Sequence, residues 1–163
     1  MDFISHGLWG GITLGRRNRR SYALAFVFGM APDLCSFGLL FAQGLLTRGL
    51  DFFRGMGHPP DAAQIPAYVY TLYNATHSLL VFATVFTLVW LLRRRPVWEL
   101  GAWGLHIALD IGTHSAAFFP TPFLWPLSDM HVDGVPWSEP RIFFANVALL
   151  GLVYGWFLFR RRT

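Results

Sequence analysis

An all-α, polytopic membrane helical bundle, four transmembrane helices plus a short N-terminal half-helix, is the architecture to which the 163-residue sequence points. Three features carry that expectation. The chain is 54% hydrophobic and only 13% charged, too apolar for an ordinary water-soluble domain of its length. It contains four uninterrupted apolar stretches close to the ~20 residues that a hydrocarbon core requires. Its thirteen basic residues are all arginine, and ten of them stand in three tight groups at the ends of those stretches.

Taken in order, Met1 to Gly15 is apolar and carries His6 with Gly7, Gly10, Gly11 and Gly15, small residues that let a half-length helix pack closely inside a bundle. It has no basic segment ahead of it, so it is not expected to be a cleaved signal peptide, and the mature chain is expected to start at Met1. Arg16, Arg17, Arg19 and Arg20 follow, then a first span from Tyr22 to Leu46. The segment Thr47 to Ala67 holds Gly55, Gly57, Pro59, Pro60 and Pro66 and reads as a loop, with His58 as plain surface. A second span, Tyr68 to Leu92, ends at Arg93 to Arg95, and a third runs from Trp98 to Phe119. The segment Pro120 to Arg141 has five prolines and is again a loop, and a fourth span, Ile142 to Phe159, ends at Arg160 to Arg162. These stretches lack the alternation of barrel strands, and in lipid only helices or closed barrels satisfy the backbone.

A four-span path puts all three arginine groups on one face. By the positive-inside rule that face is cytoplasmic, which makes the chain an integral membrane protein with both termini in the cytoplasm. Trp90, Trp98 and Trp156 at the basic ends, and Trp125 and Trp137 in the opposite loop, suit interfacial belts. The chain reads as one membrane-embedded helical domain over residues 1–163, without repeats. The formal net charge of +4 does not imply nucleic acid, because no arginine group lies on an amphipathic element with interleaved aromatics. Cys35 stands alone, so an intramolecular disulfide and a Cys₄ zinc site are both excluded.

Ionisable groups inside spans cost at least ~3 kcal/mol each at the bilayer centre unless partnered. Here Asp33 falls in the first span, His77 in the second, and His106, Asp110 and His114 in the third. At ~1.5 Å rise per residue from the nearest arginine group, these lie ~20, ~24, ~17, ~23 and ~29 Å deep, and His6 on a folded-back half-helix lies ~15 Å deep. Six candidate metal ligands therefore share one layer past mid-membrane, which a substrate would reach from the outer leaflet or the outer aqueous side. His106, Asp110 and His114 recur every four residues and are expected on one helical face, with the Asp110 carboxylate between two sites. Imidazole and carboxylate suit Zn²⁺, with Mn²⁺ or Fe²⁺ as alternatives, and one or two ions are expected. The bland reading is that buried histidines serve as interhelical hydrogen-bonding residues; Asp33 could also orient a ligand imidazole instead of binding metal. Asp129, His131 and Asp133 form an acidic loop stretch, a solvated turn on the bland reading and a lid or outer ligand set on the functional one.

The order of His6, Ala31-Pro32-Asp33, Ala75-Thr76-His77-Ser78 and His106-x-x-x-Asp110 resembles the bacterial membrane-bound metal-dependent hydrolase family, also described as LexA-binding inner-membrane hydrolases. The resemblance covers roughly residues 1–130 and implies hydrolase activity on an unassigned substrate. The same order is more distantly similar to the helical zinc-dependent phospholipase C and P1 nuclease group, which implies a phosphoester. The chain departs from the first family in having Leu34-Cys35-Ser36 after Asp33 and Tyr73-Asn74 before the second motif. It lacks the exposed amino-terminal ligand and the second His-x-x-x-Asp pair of the soluble enzymes.

The resulting expectation is a membrane-embedded metal-dependent hydrolase acting on a phosphoester or ester of a lipid or lipid-linked substrate. Asp33, His77, His106 and Asp110 hold metal in that reading, His6 and His114 complete the shells, and Asp33 and Asp110 are the catalytic carboxylates, whichever of them is left uncoordinated, Asp33 before Asp110, serving as general base. The rival readings are a metal-ion or proton carrier, a bis-His haem protein pairing His77 with His106, and a structural membrane protein without catalysis.

Overall fold

The computed structural model describes residues 1–49, 51 and 65–160, and the regular elements among them are all helical. Helix α1 (Phe3–Leu14) starts at Asp2, whose carboxylate accepts from the Ser5 amide at 2.9 Å and the Ser5 hydroxyl at 2.6 Å. That contact satisfies one of the amides that a first helical turn leaves open. After a short turn Asn18 does the same for α2 (Arg19–Arg48), accepting from the Ser21 amide at 2.9 Å. The two helices run antiparallel at a separation that only glycine permits. A Cβ on Gly29 would stand 2.5 Å from the His6 carbonyl oxygen, and one on Gly10 2.7 Å from that of Ala25.

The expected second span is a broken pair, α3 (Ala67–Thr76) and α4 (Leu79–Arg93), bent by 60° at His77-Ser78. The break persists because its freed backbone groups find partners. Ser78 accepts from the Leu80 and Val81 amides at 3.2 Å each and donates to the Trp125 carbonyl at 2.5 Å, and the Leu79 amide donates to the Phe123 carbonyl at 2.9 Å. Non-helical backbone at membrane depth is tolerated only where protein satisfies it in this way.

The expected third span is shorter than the sequence suggests. A 3₁₀ turn at Trp98–Leu100 leads into α5 (Gly101–Thr113), and His114 is already extended, with φ −116° and ψ 140°. Helix α5 stops there because the following loop folds back and takes its open carbonyls: the amides of Gly134, Val135 and Trp137 donate to His114, Gly112 and Thr113 at 2.9, 3.1 and 2.9 Å. Its 13 residues reach ~20 Å, short of a ~30 Å hydrocarbon core. Helix α6 (Pro140–Arg160) contains the fourth expected span. Among the described residues, two helices, α2 and α6, are thus long and apolar enough to cross a membrane, and the bent α3–α4 pair makes a third if counted as one span. Most of the first expected loop, with Gly55, Gly57, His58, Pro59 and Pro60, lies outside the described residues, as do Arg161 and Arg162.

At the arginine end, Arg17 pairs with Glu99 and the Ser21 hydroxyl donates to the same Glu99 oxygen at 2.6 Å, tying the α1–α2 turn to the start of α5. Tyr154 joins α6 to this end, donating to the Leu8 carbonyl at 2.8 Å and meeting the Tyr22 hydroxyl at 2.7 Å.

The polarity of the molecule is inverted relative to a water-soluble domain. Helix α4 buries none of its residues and α6 only Asn146 and Leu150, while Leu46 and Leu92 are 86% and 82% exposed. The interior instead holds Ser5, His6, Ser36, His77, Ser78, His106 and Asp110. An apolar exterior over a polar interior suits association with a lipid bilayer. Among the described residues an apolar cluster, Ile65, Val69, Tyr73 and Phe119 with Phe37 and Leu40 against them, lies directly beside the polar one.

Candidate metal centre

Three structural features bring the polar groups together. The glycine contact sets α1 against α2, so that His6 from α1 reaches Asp110 and Asp33 from α2 reaches His77 and His106. The α3–α4 break turns the His77 ring inward, and α5 presents His106 and Asp110 one turn apart on its buried face. Asp33, His77, His106 and Asp110 each offer a ligand atom, and these four atoms lie within 4.8 Å of one another. They can coordinate a divalent metal ion.

The hydrogen bonds of the imidazoles orient that set. His106 Nδ1 lies 2.7 Å from the Gly29 carbonyl oxygen, His77 Nδ1 3.1 Å from that of Tyr73, and His114 Nδ1 2.8 Å from that of Phe119. A carbonyl oxygen only accepts, so each Nδ1 carries the proton and each Nε2 is directed at the carboxylates. His77 Nε2 and His106 Nε2 stand 3.1 Å apart, and at that distance at most one of them can hold a proton.

Asp110 is the hub, fully buried, with its two oxygens facing different groups. Oδ2 lies 3.1 Å from His106 Nε2 and 3.6 Å from His77 Nε2, and no hydrogen bond of normal geometry reaches it. Oδ1 lies 2.9 Å from His6 Nε2, 3.4 Å from His114 Nε2 and 3.3 Å from the Thr113 hydroxyl, and it pairs with the Met1 amino group. Asp33 Oδ1 stands 3.5 Å from His77 Nε2 and 3.8 Å from His106 Nε2. A buried carboxylate oxygen without a donor, facing imidazole lone pairs, is a costly arrangement unless a cation sits among them. The donor set therefore fits a divalent ion, and its N and O chemistry suits zinc, manganese or iron.

Of the six residues singled out in the sequence, all lie in this cluster, although His114 reaches it from the extended segment after α5 and not along a helical face. The side chains of Asp33 and His114 are 14% and 12% exposed and form the accessible rim, whereas those of His6, His77, His106 and Asp110 are sealed. His6 stacks on His106 with ring centroids 3.7 Å apart, and its Nδ1 has no hydrogen-bond partner. Asp129, His131 and Asp133 are exposed and outside the cluster; Asp133 instead accepts from the Ala116 amide at 2.8 Å, which pins the loop.

Several contributors had no sequence signal. The carbonyls of Gly29 and Phe119 orient two histidines, yet backbone oxygens leave no trace in residue identity. The Met1 amino group lies 3.3 Å from His114 Nε2 as well as against Asp110, where the sequence had shown no amino-terminal contribution. Tyr73 stands one turn before His77, and in the sequence it appeared only as a departure from the family motif.

Compared with protein-family models, curated proteins and solved structures, the chain matches none.

Proposed function

We propose that this protein is a membrane-embedded metal-dependent hydrolase that cleaves a phosphoester or ester of a lipid or lipid-linked substrate within the outer half of a bacterial inner membrane, its arginine end facing the cytoplasm. The observation that carries the reading is the donor-free Asp110 Oδ2, held within 3.6 Å of two imidazole nitrogens whose ring protons are tied away to backbone carbonyls.

Asp33, His77, His106 and Asp110 Oδ2 would hold one ion in this reading, and Asp110 Oδ1 with His6 and His114 a second, which would displace the Met1 amino group from Asp110 Oδ1 and His114 Nε2. Divalent ions held there would polarise water and the oxygens of the scissile ester. Asp33 is the carboxylate on the accessible rim, and the oxygen it does not turn toward the imidazoles would take a proton from the attacking water. The sealed side of the cluster excludes bulk water, and the apolar exterior lets a lipid approach laterally. The motif order shared with membrane-bound metal-dependent hydrolases supports the same reading, including zinc as the first metal to test. The 3.1 Å between His77 Nε2 and His106 Nε2 leaves no space for a macrocycle between the rings, which argues against haem.

The test is elemental analysis of detergent-solubilised protein, followed by a screen of ester and phosphoester lipids with and without chelator. The expected result is one or two equivalents of transition metal, lost in His77→Ala and His106→Ala, and chelator-sensitive turnover. Protein free of transition metal, with no uptake on adding Zn²⁺, Mn²⁺ or Fe²⁺, sinks the proposal and leaves a structural polar core.

A further inference from the structure

We infer that Tyr73 is a positioning residue for both halves of the centre: its ring supports His77, while its hydroxyl and the Phe119 carbonyl hold His114 as an Nε2 ligand. This rests on the reading of the cluster as a metal centre.

Tyr73 is 2% exposed and touches the cluster in three ways. Its backbone carbonyl accepts from His77 Nδ1 at 3.1 Å, and its ring lies over the His77 ring with centroids 3.8 Å apart and planes 21° apart. Its hydroxyl donates to the Phe119 carbonyl at 2.9 Å and stands 3.2 Å from His114 Nδ1, which itself donates to that carbonyl at 2.8 Å. One oxygen thus receives two donors and its acceptor capacity is filled. Ring and hydroxyl together bridge His77, which faces Asp110 Oδ2, and His114, which faces Asp110 Oδ1.

The Phe119 carbonyl is aimed by a conformation that has to be held. Phe119 is not glycine, yet its φ is 48°, in the left-handed region that side chains disfavour. Its ring is what keeps it there: it packs edge-on against Tyr73 at 4.9 Å and Phe37 at 5.0 Å, and stacks on Tyr70 at 4.9 Å. Tyr73 therefore both packs the strained residue and uses the carbonyl which that strain presents. Without the hydroxyl, His114 Nδ1 keeps the carbonyl but loses the second oxygen, at 3.2 Å, that confines its ring, so the imidazole gains freedom to rotate or change tautomer. His77, held through the ring and the Tyr73 backbone, is unaffected.

The experiment compares the purified wild-type protein with Tyr73→Phe, and with Tyr22→Phe as a control that deletes a hydroxyl bonded to Tyr154 and outside the cluster. Zn²⁺ stoichiometry and affinity are measured by competition, Co²⁺ uptake by its visible spectrum, and the His114 tautomer by ¹⁵N ring shifts in metal-free protein. The expected wild-type result is two ions per chain with His114 protonated at Nδ1. Tyr73→Phe is expected to keep the first ion at wild-type affinity and to bind the second about 10–100-fold more weakly, with mixed His114 tautomers. Tyr22→Phe is expected to bind both normally. Wild-type binding of two ions with Tyr73→Phe indistinguishable from it, or equal weakening in Tyr22→Phe, overturns the positioning role and leaves the metal centre standing. Wild-type binding of a single ion also overturns it, since no second position then exists to couple. Wild-type protein that binds no ion overturns the metal reading itself.

Discussion

The carboxylate of Asp110 reaches His106 through Oδ2 at 3.1 Å and His6 through Oδ1 at 2.9 Å, so a single buried side chain faces both halves of the cluster. His106 lies one helical turn from Asp110, whereas His6 lies 104 residues away on another helix. An anion placed between two sets of imidazoles can neutralise part of the charge of two cations at once, and its loss would be felt at both.

Asp110→Asn tests that arrangement. The amide keeps the shape but loses the charge and half of the acceptor capacity. We expect metal occupancy at least about tenfold lower at both positions, read by elemental analysis against protein concentration. Retention of one full equivalent would mean that Asp110 serves only one side.

Gly29→Ala tests whether the close contact of α1 with α2 builds the site. The new Cβ would meet the His6 carbonyl oxygen at 2.5 Å, a rigid backbone atom, so α1 must move outward. That displaces His6 and disturbs the Gly29 carbonyl that orients His106. The expected cost is about 1–3 kcal/mol, seen in thermal unfolding in detergent, together with reduced metal binding. Unchanged stability and metal content would show that the two helices adjust freely.

Ser78→Ala tests the break in the second span. It removes the cap on the first amides of α4 and the bond to the Trp125 carbonyl. A loss of about 1 kcal/mol is expected, with faster amide exchange at Leu80 and Val81. A straightened, more stable α3–α4 helix would be the opposite outcome.

Glu99 gives a pH dependence at the arginine end, outside the long apolar helices. Burial raises its pKa, but the Ser21 hydroxyl, its backbone amide and Arg17 outweigh that and hold it below the ordinary value of 4.5. A carboxylate whose folded pKa is depressed contributes stability that is whole above the unfolded value and disappears as pH falls through the folded one. Wild-type protein should therefore lose stability below about pH 4.5 more steeply than Glu99→Gln, the two curves converging in acid. Parallel acid limbs for the two proteins would exclude Glu99 as a source of that slope.

The helical nature of the chain and the identity of the polar cluster were legible because both are local or compositional properties. Apolar runs of about 20 residues announce helices, and each buried His or Asp is conspicuous where lipid would otherwise select against it. Depth counted along separate helices was enough to suggest that Asp33, His77, His106 and Asp110 meet. The expected continuity of the second and third spans was not borne out in the helices observed, since the break at His77-Ser78 and the end of α5 are both held by backbone groups of the 120–139 segment, which leave no mark in the local sequence.

By itself, then, the sequence determined an all-helical, lipid-compatible chain with most of its arginines at the ends of its apolar stretches and a small set of ionisable side chains within them. Only the tertiary structure decided where the helices stop, which carbonyls orient which imidazoles, and that one aspartate faces both sides of the cluster. The reason is physical. Helix formation and lipid compatibility follow from side-chain chemistry within a window of residues, whereas a backbone carbonyl is the same group in every residue and acquires a role only from what packs against it.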